Sequence, residues 1–505
     1  MVDRLTFGTA GLRGPLGDGP LRMNVEQVEL AAMAIAEWLP EASTVVIGRD
    51  ARYGSEDFAN VTARVLADAG HRPRIFADPV PTPIIAHLVG VTEAAAGVMV
   101  TASHNPATDN GYKVYVADGG QLQPDDASRI EATMAALAWP ASVDIARPDD
   151  VEVLGATEIE AYVSTVSRAL GGPEEPGVAI AYTALHGVGG ELFGEVLERA
   201  GHRVHSVAEQ HDPDPEFPTA SFPNPEEPGT LDLANSLADE IDADVVLAND
   251  PDADRLAVAI KRSTGWERLT GDEIGVLLAS YVLESAPRPC TVANSIVSST
   301  LLAKLAAGRG ATYESTLTGF KWLARAGSPD APLVFAYEEA LGYSVLPRVR
   351  DKDGISAGLA FANLVASLNA DGRSVDDLLA ELAAEFGHHA TSQVSVRFDG
   401  DEAMTQMGAV MADLRGQALE SLGRFDVIEV IDLAGEQSSA ASSGEPSLPS
   451  ADVLIFHLDG GRLIVRPSGT EPKLKAYLEI VGPDIESARR DLESLEAVTR
   501  ELLGV

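Results

Sequence analysis

Three stretches of this chain repeat one pattern: an apolar strand, a polar loop, an amphipathic helix closing near glycine, and a second strand. That repetition narrows the folds open to it. The first stretch is VVIGRDARYGSEDFANVTARVLADAGHRPRIF, Val45 to Phe76, and the second is VAIAYTALHGVGGELFGEVLERAGHRVHSV, Val178 to Val207; both contain Ala-Gly-His-Arg. The third, TVANSIVSSTLLAKLAAGRGATYEST from Thr291 to Thr316, is looser but keeps the Ser/Thr loop suited to a helix N-cap and the glycine-bounded exit. Each reads as a βαβ unit, which requires parallel strands joined by a helix packed on the sheet. The fold class is therefore α/β, with three consecutive similar domains on mixed, mostly parallel sheets. The last part differs: VSVRF, DVIEVIDL, VLIFHL, RLIVRP and LKAYLEIV are short β-rich runs, followed by a charged helical stretch from Ile485 to Leu503. It reads as a C-terminal α+β domain. Boundaries near 155, 265 and 388 divide the chain into 1–155, 156–265, 266–388 and 389–505. Within the last of these, EQSSAASSGEPSLPS has almost nothing to bury and reads as an exposed loop.

With 37 basic against 77 acidic residues, the 505-residue chain carries a net charge of −40, which opposes any broad grip on a nucleic-acid backbone or an anionic membrane. Cys290 is the only cysteine, so an intrachain disulfide and a zinc site built on paired cysteines are both excluded. No apolar run approaches the ~18 residues needed to span a bilayer, and the first ten residues lack a basic stretch followed by an apolar one. A cytoplasmic monomer or homodimer acting on small molecules is the expectation. Only seven residues are lysine, and Lys113, Lys321, Lys352 and Lys473 each fall in or beside Gly-, Ser- or Asp-containing segments.

Five segments carry chemistry. In AAAGVMVTASHNPATDNGYKVY, an apolar strand delivers Thr101-Ala102-Ser103-His104-Asn105-Pro106 at its carboxyl end, where open α/β sheets place ligands. Ser103 is a candidate nucleophile, with His104 and Lys113 close in sequence to help it. The chain has no Gly-x-Ser-x-Gly elbow, which argues against an α/β-hydrolase. In VVLANDPDADRLAVAI, Asp250, Asp252 and Asp254 alternate just after a strand, a set of hard oxygen ligands suited to Mg²⁺ beside a phosphate. An EF-hand is excluded because Arg255 and Lys261 stand where that loop needs Gly and Glu. RLIVRPSGTEPKLKAYLEI offers Arg466, Ser468, Gly469 and Thr470 between two strands, a donor set for a phosphate dianion. In FAYEEALGYSV, Glu338 and Glu339 are placed to accept hydrogen bonds from sugar hydroxyls, and TFGTAGLRG puts Arg13 in a Gly-rich loop. Together these parts describe phosphoryl transfer on a sugar phosphate.

Taken in order along nearly the whole chain, these segments resemble the α-D-phosphohexomutase superfamily of phosphoglucomutases and phosphomannomutases. The resemblance implies four domains around a central cleft. TASHNP is similar to the family's phosphoserine loop, which makes Ser103 the phosphoryl carrier. DPDADR resembles its magnesium loop, with Asp250, Asp252 and Asp254 as ligands, Ser103 contributing to the metal, and Arg255 beside them. RPSGTEP is similar to the loop that holds the non-reacting phosphate. The family's sugar-binding loop usually reads Gly-Glu-x-Ser-Gly; here Glu339 matches the glutamate and Leu341 replaces the serine, so one hydrogen bond to a ring hydroxyl is expected to be missing and pentose phosphates to be accepted. The EEALGY form with FGTAGLRG looks closest to the phosphoglucomutase-2-like and phosphopentomutase branch, and the segments around Lys321 and Lys352 resemble family segments lining the cleft.

The implied reaction takes glucose 1-phosphate to glucose 6-phosphate through phospho-Ser103 and a 1,6-bisphosphate that also serves as activator, with Mg²⁺ as cofactor and Lys113 and His104 as candidate acid/bases. Phosphopentomutase and phosphomannomutase activities are the alternatives within the family. A non-catalytic sugar-phosphate sensor on this scaffold would be expected to have lost Ser103 or one of the three aspartates, and all four are present. An aspartate-nucleophile phosphatase fits less well, since Asp254 or Leu256 stands where that class wants Thr or Val.

Overall fold

The computed structural model describes residues 4–8, 11–173, 176–398, 402–435, 448–468 and 473–504. Four sheets follow one another along the chain. In the first, the strands Ala96–Val100, Thr44–Arg49, Arg72–Phe76 and Glu152–Leu154 run parallel, and Asp109–Val116 and Gly11–Pro15 add antiparallel at one side. The second has Val245–Ala248, Ala179–Thr183 and Arg203–Ser206 in parallel, with Ala257–Arg262 and Gly265–Arg268 antiparallel at the edge. Thr312–Thr316, Thr291–Ser295 and Ala331–Glu338 form the parallel part of the third.

All three expected crossovers are present: Thr44–Arg49 to Arg72–Phe76, Ala179–Thr183 to Arg203–Ser206, and Thr291–Ser295 to Thr312–Thr316 are each a parallel pair joined by a helix. The physical reason is visible in burial. Ala96–Val100, Ala179–Thr183 and Thr291–Ser295 are buried along their full length, as strands covered by helices on both faces must be. The fourth sheet is wholly antiparallel in the order His388–Arg397, Lys473–Gly482, Gly461–Pro467, Leu454–Leu458, Phe425–Asp432, Ser421–Leu422. Phe425–Asp432 alternates between covered and open positions, and the helix Ile485–Leu503 covers one face of this sheet. The second sheet runs on to Arg268, and the fourth opens at His388. Most of the expected Ser/Pro loop, residues 436–447, lies outside the described residues. Among the described residues no helix is long and apolar enough to cross a membrane.

Loops at the carboxyl ends of Ala96–Val100, Val245–Ala248 and Ala331–Glu338 meet where the first three sheets approach each other. Thr82, opening a helix of the first domain, donates from both its amide (3.0 Å) and its hydroxyl (2.6 Å) to Asp252 of the second. Tyr115 and Gln121 of the first hold Asp351 of the third at 2.8–3.0 Å. Leu256 of the second donates its amide to the Leu341 carbonyl of the third at 3.1 Å.

Candidate active site

The buried strand Ala96–Val100 ends in a loop that cannot relax into helix, because Pro106 lacks an amide hydrogen and Thr101 Oγ1 accepts the Ser103 amide at 2.8 Å. Ser103 sits at φ 53°, a left-handed conformation uncommon for a residue with a side chain. Arg52 holds it there. Its buried guanidinium donates to the carbonyls of Ser103 (2.7 Å), Asn105 (2.5 Å), Pro106 (2.7 Å) and Asp109 (3.1 Å), and stacks on Phe217 with 4.8 Å to the ring centre. Thus fixed, Ser103 Oγ donates to Asp250 Oδ2 at 2.7 Å and lies 3.1 Å from His104 Nδ1. Burial and the nearby Arg255 and Arg13 cations push His104 well below its ordinary value, so its imidazole is neutral beside the hydroxyl.

Asp250, Asp252 and Asp254 follow the buried strand Val245–Ala248 and are wholly buried themselves. Ala253, between two of them, takes φ 57° and turns the loop, and Gly187 packs so closely that a Cβ there would lie 2.3 Å from the Pro251 Cα. One carboxylate oxygen from each aspartate falls within 4.8 Å of the others. Three such groups repel unless cations face them. Lys113 Nζ bridges Asp252 at 2.6 Å and Asp254 at 2.7 Å, and Lys352 reaches Asp254 at 3.3 Å while lying over Phe320. Burial, with Asp252 and Asp254 opposite, pushes Asp250 well above the usual carboxylate range. Asp254 is also buried, which acts the same way, but Lys113 and Lys352 hold it well below that range. Lys113 is likewise kept as an ammonium against its burial by Asp252 and Asp254.

The residues present fit a divalent cation. Asp252 Oδ1 and Asp254 Oδ1 are buried with no hydrogen-bond partner, two hard anionic oxygens on one loop without a proton donor. Asp250, Asp252 and Asp254 would hold it, with Ser103 Oγ on the same side through Asp250.

The other expected residues fall around this centre. Arg13, on Gly11–Pro15, donates to Asn105 Oδ1 at 3.1 Å. The Arg255 amide donates to Asp250 at 3.0 Å, and its guanidinium lies 3.9 Å from Asp250 and 3.8 Å from Glu226. Glu338 accepts the Gly319 amide at 2.6 Å, and Glu339 accepts the hydroxyls of Ser295 and Ser298, both at 3.1 Å. Arg466 lies opposite Lys475 across the pair Gly461–Pro467 and Lys473–Gly482, and the Tyr477 hydroxyl is within electrostatic reach of Glu339, Arg466 and Glu338. The Ser468 amide closes this hairpin on the Lys473 carbonyl at 2.7 Å; Gly469 and Thr470 lie outside the described residues. Lys321 is tied to the first domain through its carbonyl, which accepts Gln123 at 2.8 Å, and its half-buried ammonium is shifted down by that burial.

One expectation is overturned. Leu341 does not face a ring hydroxyl: it is fully buried in the apolar core of the second and third domains, at a φ of 62°. Leu341→Ser is therefore expected to cost about 3 kcal/mol of stability through a cavity and a buried hydroxyl, seen as a lowered Tm, with the hexose-to-pentose ratio of kcat/KM unchanged.

The sequence reading missed Arg52, Thr82 and Lys475. Lys475 lies half-buried beside Arg466 and faces Glu339 electrostatically; the available signal was a scarce lysine in the β-rich run that follows the Arg466 loop, and the strand pairing with Arg466 supplies the rest.

Models of phosphoglucomutase/phosphomannomutase domains match the chain in four successive pieces: alpha/beta/alpha domain I over residues 4–140, domain II over 160–265, domain III over 270–386, and the C-terminal domain over 394–491. A protein named probable phosphomannomutase from Haemophilus influenzae is 40% identical over 495 residues, covering 95% of this chain and 98% of its own. One named probable phosphoribomutase from Schizosaccharomyces pombe is 36% identical over 541 residues, covering 99% and 91%. The crystal structure of a phosphoglucomutase/phosphomannomutase family protein from Burkholderia thailandensis shares the fold, with a TM-score of 0.76 over 99% of this chain and 98% of that one at 18% identity.

Proposed function

The chain belongs to the phosphoglucomutase/phosphomannomutase family and is a phosphosugar mutase, and from that premise we propose that it converts glucose 1-phosphate to glucose 6-phosphate with Ser103 as the phosphoryl carrier. The observation that carries the assignment of Ser103 is its Oγ 2.7 Å from Asp250, held in a left-handed turn by Arg52. Phospho-Ser103 gives its phosphoryl group to the free hydroxyl of the monophosphate; the 1,6-bisphosphate so formed re-enters in the opposite orientation and returns its other phosphoryl group to Ser103. Added bisphosphate acts as activator by restoring phospho-Ser103.

Each transfer moves one proton from the attacking hydroxyl to the leaving oxygen. Neutral His104, 3.1 Å from Ser103 Oγ, and the Lys113 ammonium are the groups on hand to exchange it. Bound Mg²⁺ on Asp250, Asp252 and Asp254 would supply positive charge toward the oxygens of the group in transfer. Arg466 and Lys475, with Ser468 at the turn, hold the phosphate that does not react, and Glu338 and Glu339 accept hydroxyls of the sugar. Arg13, Arg255, Lys321 and Lys352 add the remaining positive charge around a dianionic substrate.

A pentose reading is favoured by one finding, the full-length similarity to a probable phosphoribomutase at an identity close to that of the probable phosphomannomutase. A panel of glucose 1-phosphate, mannose 1-phosphate and ribose 1-phosphate, each with a trace of its bisphosphate, decides. The highest kcat/KM is expected for glucose 1-phosphate. A tenfold preference for ribose 1-phosphate moves the assignment to a phosphopentomutase, and one for mannose 1-phosphate to a phosphomannomutase.

A further inference from the structure

The strand Gly461–Pro467 carries Arg466 at one end and Arg462 at the other, on the same face of the sheet and ~13 Å apart at the usual strand rise. Across the pair, Arg466 faces Lys475 and Arg462 faces Glu479, with Ile464 opposite Tyr477 between them. This face does not look to solvent. Ile464 and Tyr477 pack with Ile296 and Val297, which belong to the loop that leaves Thr291–Ser295 in the third domain.

That loop is gripped from both sides. Toward the fourth domain, Arg462 Nη1 donates to the Ile296 carbonyl at 2.9 Å, Nη2 donates to the Ser298 carbonyl, and Nε donates to Glu479 at 2.7 Å. Glu479 in turn accepts the Ser299 hydroxyl at 2.6 Å and the Thr300 amide at 2.9 Å. Toward the third domain, the Ser298 hydroxyl donates to Glu339 Oε2 at 3.1 Å and accepts the Glu339 amide at 3.2 Å, and Ser295 donates to the same carboxylate at 3.1 Å. Ser298 thus presents its carbonyl to Arg462 and its hydroxyl to Glu339.

We propose that Arg462 is a positioning residue that sets Glu339 through Ser298, so that Arg462 of the fourth domain and sugar reading at Glu339 of the third are energetically coupled. The inference rests on the reading above that Glu339 accepts sugar hydroxyls. A charged fork is needed for this role: one guanidinium satisfies Glu479 and two carbonyls in fixed directions, and an ammonium on a single stem reaches fewer of them.

The test is a double-mutant cycle on the full-length enzyme. Arg462→Lys keeps the charge beside Glu479 and loses the fork. It is expected to lower kcat/KM for the sugar phosphate about tenfold, mostly through KM, while inhibition by inorganic phosphate, which brings no sugar for Glu339 to read, changes less than twofold. In a Glu339→Gln background the same change should cost less than twofold. Ser298→Ala, which leaves the Arg462 contacts in place, should reproduce the KM effect, and it serves as the variant if Arg462→Lys does not fold. Effects that multiply in the double variant overturn the coupling, as does a parallel loss of phosphate affinity. Full activity in Glu339→Gln overturns the sugar-reading assignment instead.

Discussion

Ser103→Ala is expected to lower mutase turnover by roughly three orders of magnitude or more while leaving the fold in place. The reaction has two half-transfers, and both pass through the same oxygen; among the described residues no other hydroxyl donates to Asp250. Thr82, the nearest alternative in kind, already spends its hydroxyl on Asp252 at 2.6 Å. Loss of the Ser103 hydroxyl removes one donor to Asp250, which still accepts the Arg255 amide at 3.0 Å. The Arg52 clamp acts on backbone carbonyls and survives the substitution. Steady-state rates with added bisphosphate, intact mass for the phosphoryl adduct, and thermal unfolding check the three parts of this expectation. More than a few per cent of wild-type rate would remove Ser103 from the role of carrier.

What the amino-acid order made legible follows from how each feature is built. The crossovers were readable because a parallel strand covered on both faces is largely apolar, as Thr44–Arg49 and Ala179–Thr183 are; Thr291–Ser295 is buried too but carries Thr, Asn and Ser, which made the third repeat the looser one. Ser103 and the three aspartates were readable because each group is contiguous and follows such a strand directly. Thr82 and Arg52 were not. Thr82 acts on Asp252 across 170 positions of chain, and Arg52 acts through main-chain carbonyls that any residue would present. Leu341 shows a different failure: matching a loop position to its family counterpart assigns a place along the backbone, but whether the side chain meets the cleft or the core depends on the packing of the second and third domains, and here it lies in the core. Lys113 and Lys352 were readable as scarce cations near loops, while their common target, Asp254, emerges only when the three domains meet.

Asp252→Asn is expected to weaken Mg²⁺ binding by at least about 10–100-fold and to lower activity at ordinary Mg²⁺ by a similar factor, with a chelator stopping the wild-type enzyme outright. The substitution keeps the shape of the side chain and an oxygen for the Thr82 hydroxyl, so the link between the first and second domains remains. It removes one of the two carboxylates that Lys113 bridges, at 2.6 and 2.7 Å, and one of the two carboxylate oxygens of this loop that are buried without a hydrogen-bond partner. A hard dication loses an anionic ligand and meets an ammonium less fully offset. Stability should move little, because the same change relieves repulsion among three carboxylates gathered within 4.8 Å. Calorimetric titration with Mg²⁺ alone separates the metal effect from turnover, and thermal unfolding of the metal-free variant should stay within a few degrees of wild type. If Asp252→Asn binds Mg²⁺ as tightly as the wild type, or if the chelated wild type keeps turning over, the acidic loop is a structural junction between domains and the charge that assists Ser103 comes from Lys113, Lys352 and Arg255 alone.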